Sequence, residues 1–179
     1  KKKKIYTLIH CAGVHGPINK FEKININSWI NSFNINLFSI AIILRNTMKS
    51  FVKKKTSVIF LAGGGSTTGM KNFSAYSLAK TSIVRFCENL SIEYENKYKF
   101  YCISPGAIKT NLLKNAIKHG DKVPLKKIID INLPWQLCNF LINNTKFNLS
   151  GRQIHSKDSY YSWKIEELNK DIFKLRRVV

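Results

Sequence analysis

The sequence predicts an α/β fold built on a parallel sheet. Three observations carry that reading. Short apolar runs alternate with stretches of helical period along the whole chain. The runs are apolar on both faces and lack the in–out alternation of a sheet with one wet side. Three of them end in small residues, at Cys11-Ala12-Gly13, at Gly63-Gly64-Gly65 and at Ser104-Pro105-Gly106. In parallel sheets ligands gather at the carboxyl ends of the strands, where small residues let a ligand approach the backbone.

The elements follow in order. Residues 5–10 form a β-branched, apolar strand that stops at Ala12-Gly13, and a loop runs on through Gly16-Pro17. Asn27 or Ser28 caps a helix reaching about residue 50, with Trp29, Ile30, Phe33, Leu37, Ile40, Ile43 and Leu44 turned inward at helical spacing. Lys53-Lys54-Lys55 make a charged turn before a second strand at 57–62. A long helix covers 74–98, with Ile83, Val84, Phe86, Cys87 and Leu90 inward, and a third strand at 100–104 closes on Pro105-Gly106. A short helix at 110–118, a helix at 133–143 and a short strand at 152–155 come next, and Ser162 caps a last helix through Leu175. Trp29 and Trp135 are expected in the packing between helices. With no repeat, linker or low-complexity block, residues 1–179 are expected to form one domain.

Charge invites a different function. There are 30 Lys+Arg against 10 Asp+Glu, a formal +20. One reading is a basic face for nucleic acid or an anionic membrane. The other is compositional drift, because the excess is mostly lysine, spread along the chain and accompanied by abundant Asn and Ile. No zinc spacing, aromatic–basic repeat or helix-turn-helix signal accompanies the charge, so the compositional reading is preferred. No apolar run approaches the ~18–20 residues of a membrane span, and no secretory signal is visible, which points to the cytoplasm. The four cysteines (Cys11, Cys87, Cys102 and Cys138) are scattered without a C-x-x-C pair. They read as reduced thiols, with no metal site expected.

The sharpest chemical feature is Tyr76-Ser77-Leu78-Ala79-Lys80. Tyrosine and lysine four apart share a helix face. A nearby ammonium favours phenolate and lowers the phenol pKa, making Tyr76 a proton donor and acceptor near neutral pH. The plainer alternative is a half-buried tyrosine beside a solvated lysine.

In this setting the chain resembles the short-chain dehydrogenases/reductases over nearly its whole length. Tyr76 and Lys80 fit that family's Tyr-x-x-x-Lys pair. His10-Cys11-Ala12-Gly13 stands where the family has Asn-Asn-Ala-Gly, and Asn34-Ile35-Asn36-Leu37 carries its helix asparagine at Asn36. Ser104-Pro105-Gly106 through Thr110 is similar to its Pro-Gly segment. Leu61-Ala62-Gly63-Gly64-Gly65, Asn72-Phe73-Ser74-Ala75-Tyr76 and Leu175-Arg176-Arg177 resemble one branch of bacterial reductases without an assigned substrate.

The resemblance implies a Rossmann-like three-layer parallel sheet that starts near the family's fourth strand. It also implies NAD- or NADP-dependent interconversion of an alcohol and a carbonyl. Tyr76 would exchange a proton with the substrate oxygen. Lys80 would hold the nicotinamide ribose, and Asn36 would hold a water leading to Lys80. Cys11, Ala12, Gly13, Tyr76, Lys80, Pro105, Gly106 and Thr110 would line the cofactor. Residues 111 to about 130 would form the substrate lid. The partners implied are a small carbonyl or alcohol substrate and a second copy of the chain.

Three departures qualify that expectation. Thirteen residues before Tyr76, where the family places a catalytic serine, stands Gly63; Ser66 or Thr67 would have to reach back in its place. Losing one preorganised donor typically costs ~3 kcal/mol of transition-state stabilisation. Cys11 replaces an asparagine and is expected to pack as a small apolar group, beside His10 as a satisfied strand-end histidine. The Gly-rich dinucleotide fingerprint is not in this sequence, which leads to the expectation of a fragment, a split gene or an impaired form. The alternatives are a non-catalytic remnant acting as an interaction module and a basic nucleic-acid-associated protein.

Overall fold

A computed structural model describes residues 3–119, 127–164, 166, 168 and 171–176. Its centre is a four-stranded parallel sheet made of β1 (Thr7–His10), β2 (Ser57–Leu61), β3 (Lys99–Ser104) and β6 (Gln153–His155), in the spatial order β1-β2-β3-β6. The register is even, with Leu8 opposite Val58 and Val58 opposite Phe100.

Alternate strand residues feed two separate cores, which is why the strands read as apolar throughout. Val58, Phe60, Phe100 and Cys102 pack with Ile40, Leu44, Ile83, Val84 and Leu90 on one face. Ile59, Tyr101 and Ile103 pack with Leu137, Cys138 and Leu141 on the other. Helices therefore cover both faces, and the fold is the three-layer Rossmann-like sheet that was expected.

The first helical stretch is not one continuous α-helix. Asn25, rather than Asn27 or Ser28, is the cap, and its side chain accepts from the Ser28 N–H at 2.9 Å. Helix α1 (Ile26–Phe33) passes through a π-helical turn, Asn34–Phe38, into α2 (Ser39–Thr47). Within that turn the Asn36 amide donates to Ser32 O at 2.9 Å, the carbonyl that its own backbone N–H would take in an α-helix. Ile30 in α1 and Ile43 in α2, both expected inward, are exposed.

Helix α3 (Ser74–Glu93) ends five residues short of the expected boundary. A small parallel pair, β4 (Ala107–Ile108) with β5 (Ile128–Ile129), ties down both ends of the expected lid. Between them lies α4 (Asn111–Lys118), and residues 120–126 of the lid fall outside the described residues. Helix α5 (Asn132–Asn143) follows, but its Trp135 is 60% exposed and not packed between helices.

The helix expected from Ser162 to Leu175 is corrected. None of its described residues is α-helical: Glu166 lies in a 3-10 turn and 171–173 form a turn, while residues 165, 167, 169 and 170 fall outside the described residues. Phe173 has a left-handed φ of 61°, and its carbonyl accepts from the Gln153 N–H at 2.9 Å, so this tail is tied to β6 instead of to a helical ladder. Among the described residues no helix is long and apolar enough to cross a membrane.

Candidate active site

The site is built where β1, β2 and β3 end, and α3 brings Tyr76 and Lys80 to it. Both are buried, with Tyr76 8% and Lys80 4% exposed, so the alternative of a solvated lysine does not hold. The Lys80 Nζ donates to the carbonyl of Leu61, the last residue of β2, at 2.9 Å. It also lies 5.7 Å from the centre of the Tyr76 ring. Burial pulls the Lys80 ammonium down to about 8, with the thiols of Cys102 and Cys11 acting in the opposite sense.

The expected lowering of the tyrosine pKa is not found. Burial pushes the Tyr76 phenol up to about 12. The ammonium is engaged by a backbone carbonyl and faces the ring, so desolvation outweighs its charge.

Gly13 is where β1's loop meets these groups. A methyl group on Gly13 would stand 3.0 Å from Asn36 Oδ1 and 3.3 Å from Lys80 Nζ. The bare backbone thus leaves a shallow cradle beside the ammonium, while the neighbouring Cys11 and Ala12 are exposed. Cys11 does not pack as an apolar group; it faces outward at the strand end. Asn36, fully buried in the π turn, fixes this loop. Its Oδ1 accepts from the Val14 N–H at 3.2 Å, and its Nδ2 donates to Val14 O at 2.8 Å. His10 meets Ser39, Nε2 to Oγ at 3.3 Å, and burial together with Lys80 lowers its pKa.

Gly63 has extended backbone, φ −170° and ψ 173°, so its conformation does not demand glycine. The tyrosine does: a methyl there would lie 2.3 Å from the Tyr76 hydroxyl. Ser66, the candidate replacement for the family's serine, is buried, and its hydroxyl is engaged elsewhere. It donates to Gly63 O at 2.6 Å and accepts from Gln153 Nε2 at 2.6 Å. The same amide donates to Ser104 Oγ at 2.7 Å.

The remaining candidates sit on the third strand's exit. Pro105 O accepts from Ser156 Oγ at 2.8 Å, and Gly106 turns at φ 81° against Ile129. Thr110 is the N-cap of α4, its hydroxyl accepting from the Leu113 N–H at 3.3 Å.

Two residues of the site were not singled out as such from sequence. His15, read as a loop residue, is buried edge-on against Tyr76, with ring centres 4.8 Å apart, and against Phe73. Gln153 ties the turn at Gly64–Ser66 to the end of β3. No local pattern announces either, because both act across long sequence separations. Among the described residues no three His, Cys, Asp or Glu side chains form a group that could hold a metal ion.

Comparison with known proteins adds to this geometry. A family profile described as short chain dehydrogenase matches residues 1–121. The chain is 29% identical over 168 residues to a protein named 3-oxoacyl-[acyl-carrier-protein] reductase FabG from Buchnera aphidicola, covering 90% of this chain and 68% of that protein. It is 24% identical over 164 residues to a cyclohexanol dehydrogenase from Acinetobacter, covering 84% and 62%. Among solved structures, the oxidoreductase YciK from Escherichia coli superposes with a TM-score of 0.76 at 18% identity, over 87% of this chain and 63% of that one. A short chain dehydrogenase from Shigella flexneri complexed with NADP gives 0.78 at 18%, over 87% and 64%. The chain thus spans just under two thirds of the length of these structures.

Proposed function

The chain belongs to the short-chain dehydrogenase family, and on that premise we propose that it is an oxidoreductase interconverting a ketone and a secondary alcohol with a nicotinamide dinucleotide. The observation that supports this most is the meeting of Gly13, Asn36 and Lys80 at the end of β1, one helical turn from Tyr76. Relatives whose names give a substrate, among them a 3-oxoacyl reductase and a cyclohexanol dehydrogenase, support the ketone–secondary alcohol class.

The dinucleotide, when bound, supplies or accepts the hydride. The bare Gly13 cradle beside a buried ammonium fits its nicotinamide–ribose end. Cys11, Ala12, Gly13 and Lys80 would hold that end from β1 and α3, with Pro105, Gly106 and Thr110 on the other side. The sequence has no G-x-G-x-x-G segment, so no residue here is assigned to the pyrophosphate. Solved relatives complexed with NADP and NADPH support a dinucleotide of this kind.

Tyr76 is the proton donor to the carbonyl oxygen. A phenol near 12 is held protonated at neutral pH, which suits reduction; oxidation of the alcohol would need it deprotonated and would rise with pH. Asn36 is a positioning residue, since its amide atoms hold Val14 and Ser32. Ser66 likewise positions the loop at residues 63–67. It would touch the reacting oxygen only on leaving Gln153 and Gly63. Residues 1–179 act as one domain in this reading. The exposed Ile26, Ile30 and Phe38, with Leu78 and Ile92 on α3, support self-association.

A second reading, a non-catalytic member of the family, takes its support from Gly63 and the raised phenol. Nucleotide binding separates the two. Titration of the chain with NADPH and with NADH, followed by nicotinamide fluorescence, should show binding by one of them that Lys80→Ala weakens at least tenfold. No binding of either at millimolar concentration would leave the second reading.

A further inference from the structure

We propose that His15 is a positioning residue for Tyr76: its ring, seated against Phe73 and Tyr76, holds the phenol in the place from which it delivers a proton. The proposal rests on the reading of Tyr76 as the proton donor. His15 is 9% exposed. Its ring centre lies 4.8 Å from that of Tyr76 and 5.3 Å from that of Phe73, at interplanar angles of 82° and 89°. Phe73 and Tyr76 stand three residues apart at the start of α3, so one imidazole meets both rings in the near-perpendicular arrangement that aromatic pairs favour.

The loop that carries His15 is fixed on both sides of it. Before it, Asn36 clamps the N–H and the carbonyl of Val14. After it, Gly16 turns at φ 69° where a methyl group would stand 2.7 Å from Ser32 Cβ, so the chain passes close against α1. Further on, the Asn19 N–H donates to Asn72 O at 3.1 Å, just ahead of α3. The imidazole is thus set by its backbone, and Tyr76 packs on a fixed ring. Burial raises the Tyr76 phenol and no hydrogen bond contributes to that shift, so the phenol's place is set by what packs on its ring. The titratable groups facing that ring are Lys80 on its own helix and His15 on the loop. The end of β2 brings Gly63, and the apolar cluster around the ring brings Ala116 of α4, Ile18 and Met70, none of them charged.

Two readouts test this, one of them without turnover. In the chain labelled with ¹³C at tyrosine Cζ, the Tyr76 signal is the one that Tyr76→Phe removes, and its shift reports phenolate. His15→Ala opens the ring to water and should give about tenfold more Tyr76 phenolate than the wild type at any pH from about 9 to 10, with the fold checked by circular dichroism. His15→Phe keeps a ring against Tyr76 and should match the wild type. In the proposed ketone reduction, His15→Ala should lower kcat about tenfold, as for a slightly misplaced proton donor, while dinucleotide affinity stays within about twofold. His15→Phe should recover most of kcat, and His15→Ala placed on Tyr76→Phe should cost nothing further. Equal Tyr76 ionisation in wild type and His15→Ala, no recovery in His15→Phe, or a loss that persists at full size on Tyr76→Phe would each overturn the proposal. A wild type that turns over no ketone would instead count against the dehydrogenase reading, and the titration alone would then decide whether His15 places the phenol.

Discussion

The Tyr76 hydroxyl stands where a side chain on residue 63 would be, 2.3 Å from the position of a methyl group there. The backbone of Gly63 is extended and open to any residue, so the glycine answers to the tyrosine and not to strain. A bare residue 63 and a buried phenol are two aspects of one arrangement.

Gly63→Ala should therefore displace the ring into a wetter position and lower the Tyr76 pKa from about 12 toward 10. The phenolate absorbance of Gly63→Ala minus that of Gly63→Ala/Tyr76→Phe isolates this tyrosine from the others. A phenol that still titrates near 12 would show that Gly63 does not set its position.

Gly13→Ala tests the cradle. The added methyl would press on Asn36 Oδ1 at 3.0 Å and Lys80 Nζ at 3.3 Å, an overpacking that costs about 1–3 kcal/mol. Urea denaturation should show that modest loss, and NADPH affinity should fall at least tenfold. Undiminished nucleotide binding would place the dinucleotide elsewhere.

Lys80 makes stability depend on pH in the alkaline range. Its folded pKa, about 8, lies below its ordinary 10.5, so between those values the unfolded chain binds the extra proton. Stability from this group rises with pH from 8 upward, by at most about 3 kcal/mol if the whole shift were realised. Tyr76, raised from 10 to about 12, acts with the opposite sign, but only above pH 10. The buried thiols of Cys87, Cys102 and Cys138, all raised by burial, also act with the opposite sign, from about pH 9 upward. The Lys80 contribution is therefore read as a difference: denaturation curves between pH 8 and 9 should show the wild type gaining stability relative to Lys80→Met as pH rises, and a constant difference would show that Lys80 is not coupled to folding.

How far the sequence alone could reach follows from these residues. The strands and the Tyr76–Lys80 face were readable because both depend on neighbours within four positions. Gly63 opposite Tyr76 was readable as an anomaly, but its meaning required the ring's position. Asn36 was recognised, yet the π turn came from a side chain entering the helical ladder, which period alone does not reveal. Ser66 looked like a spare hydroxyl because Gln153, 87 residues away, was invisible as its partner. The tail was misread as a helix for the same reason: its bonds run to β6 and α3.

That tail carries a prediction of its own. Arg176 forks onto the buried Glu88 of α3, with Nη2 to Oε1 at 2.6 Å, and Arg85 pairs with the same carboxylate. Burial alone would raise the Glu88 carboxyl, but the Arg176 hydrogen bond and the two guanidinium charges hold it below its ordinary 4.5. The stability it contributes is full above pH 4.5 and is lost as pH falls through the lowered value. Glu88→Gln should cost about 1–3 kcal/mol at pH 7, tempered by the partial exposure of both arginines. It should also flatten the acid limb of the stability profile. An unchanged acid limb would show that the cluster is not coupled to folding.

In the proposed reaction Tyr76 delivers the proton in a dinucleotide-dependent reduction. Its most direct test is the loss of NADPH or NADH absorbance at 340 nm with a panel of ketones, comparing wild type with Tyr76→Phe. The variant should bind the dinucleotide as before while turnover falls by about 10²–10⁴-fold, the usual contribution of a positioned acid. Turnover in Tyr76→Phe equal to that of the wild type would remove Tyr76 from the reaction.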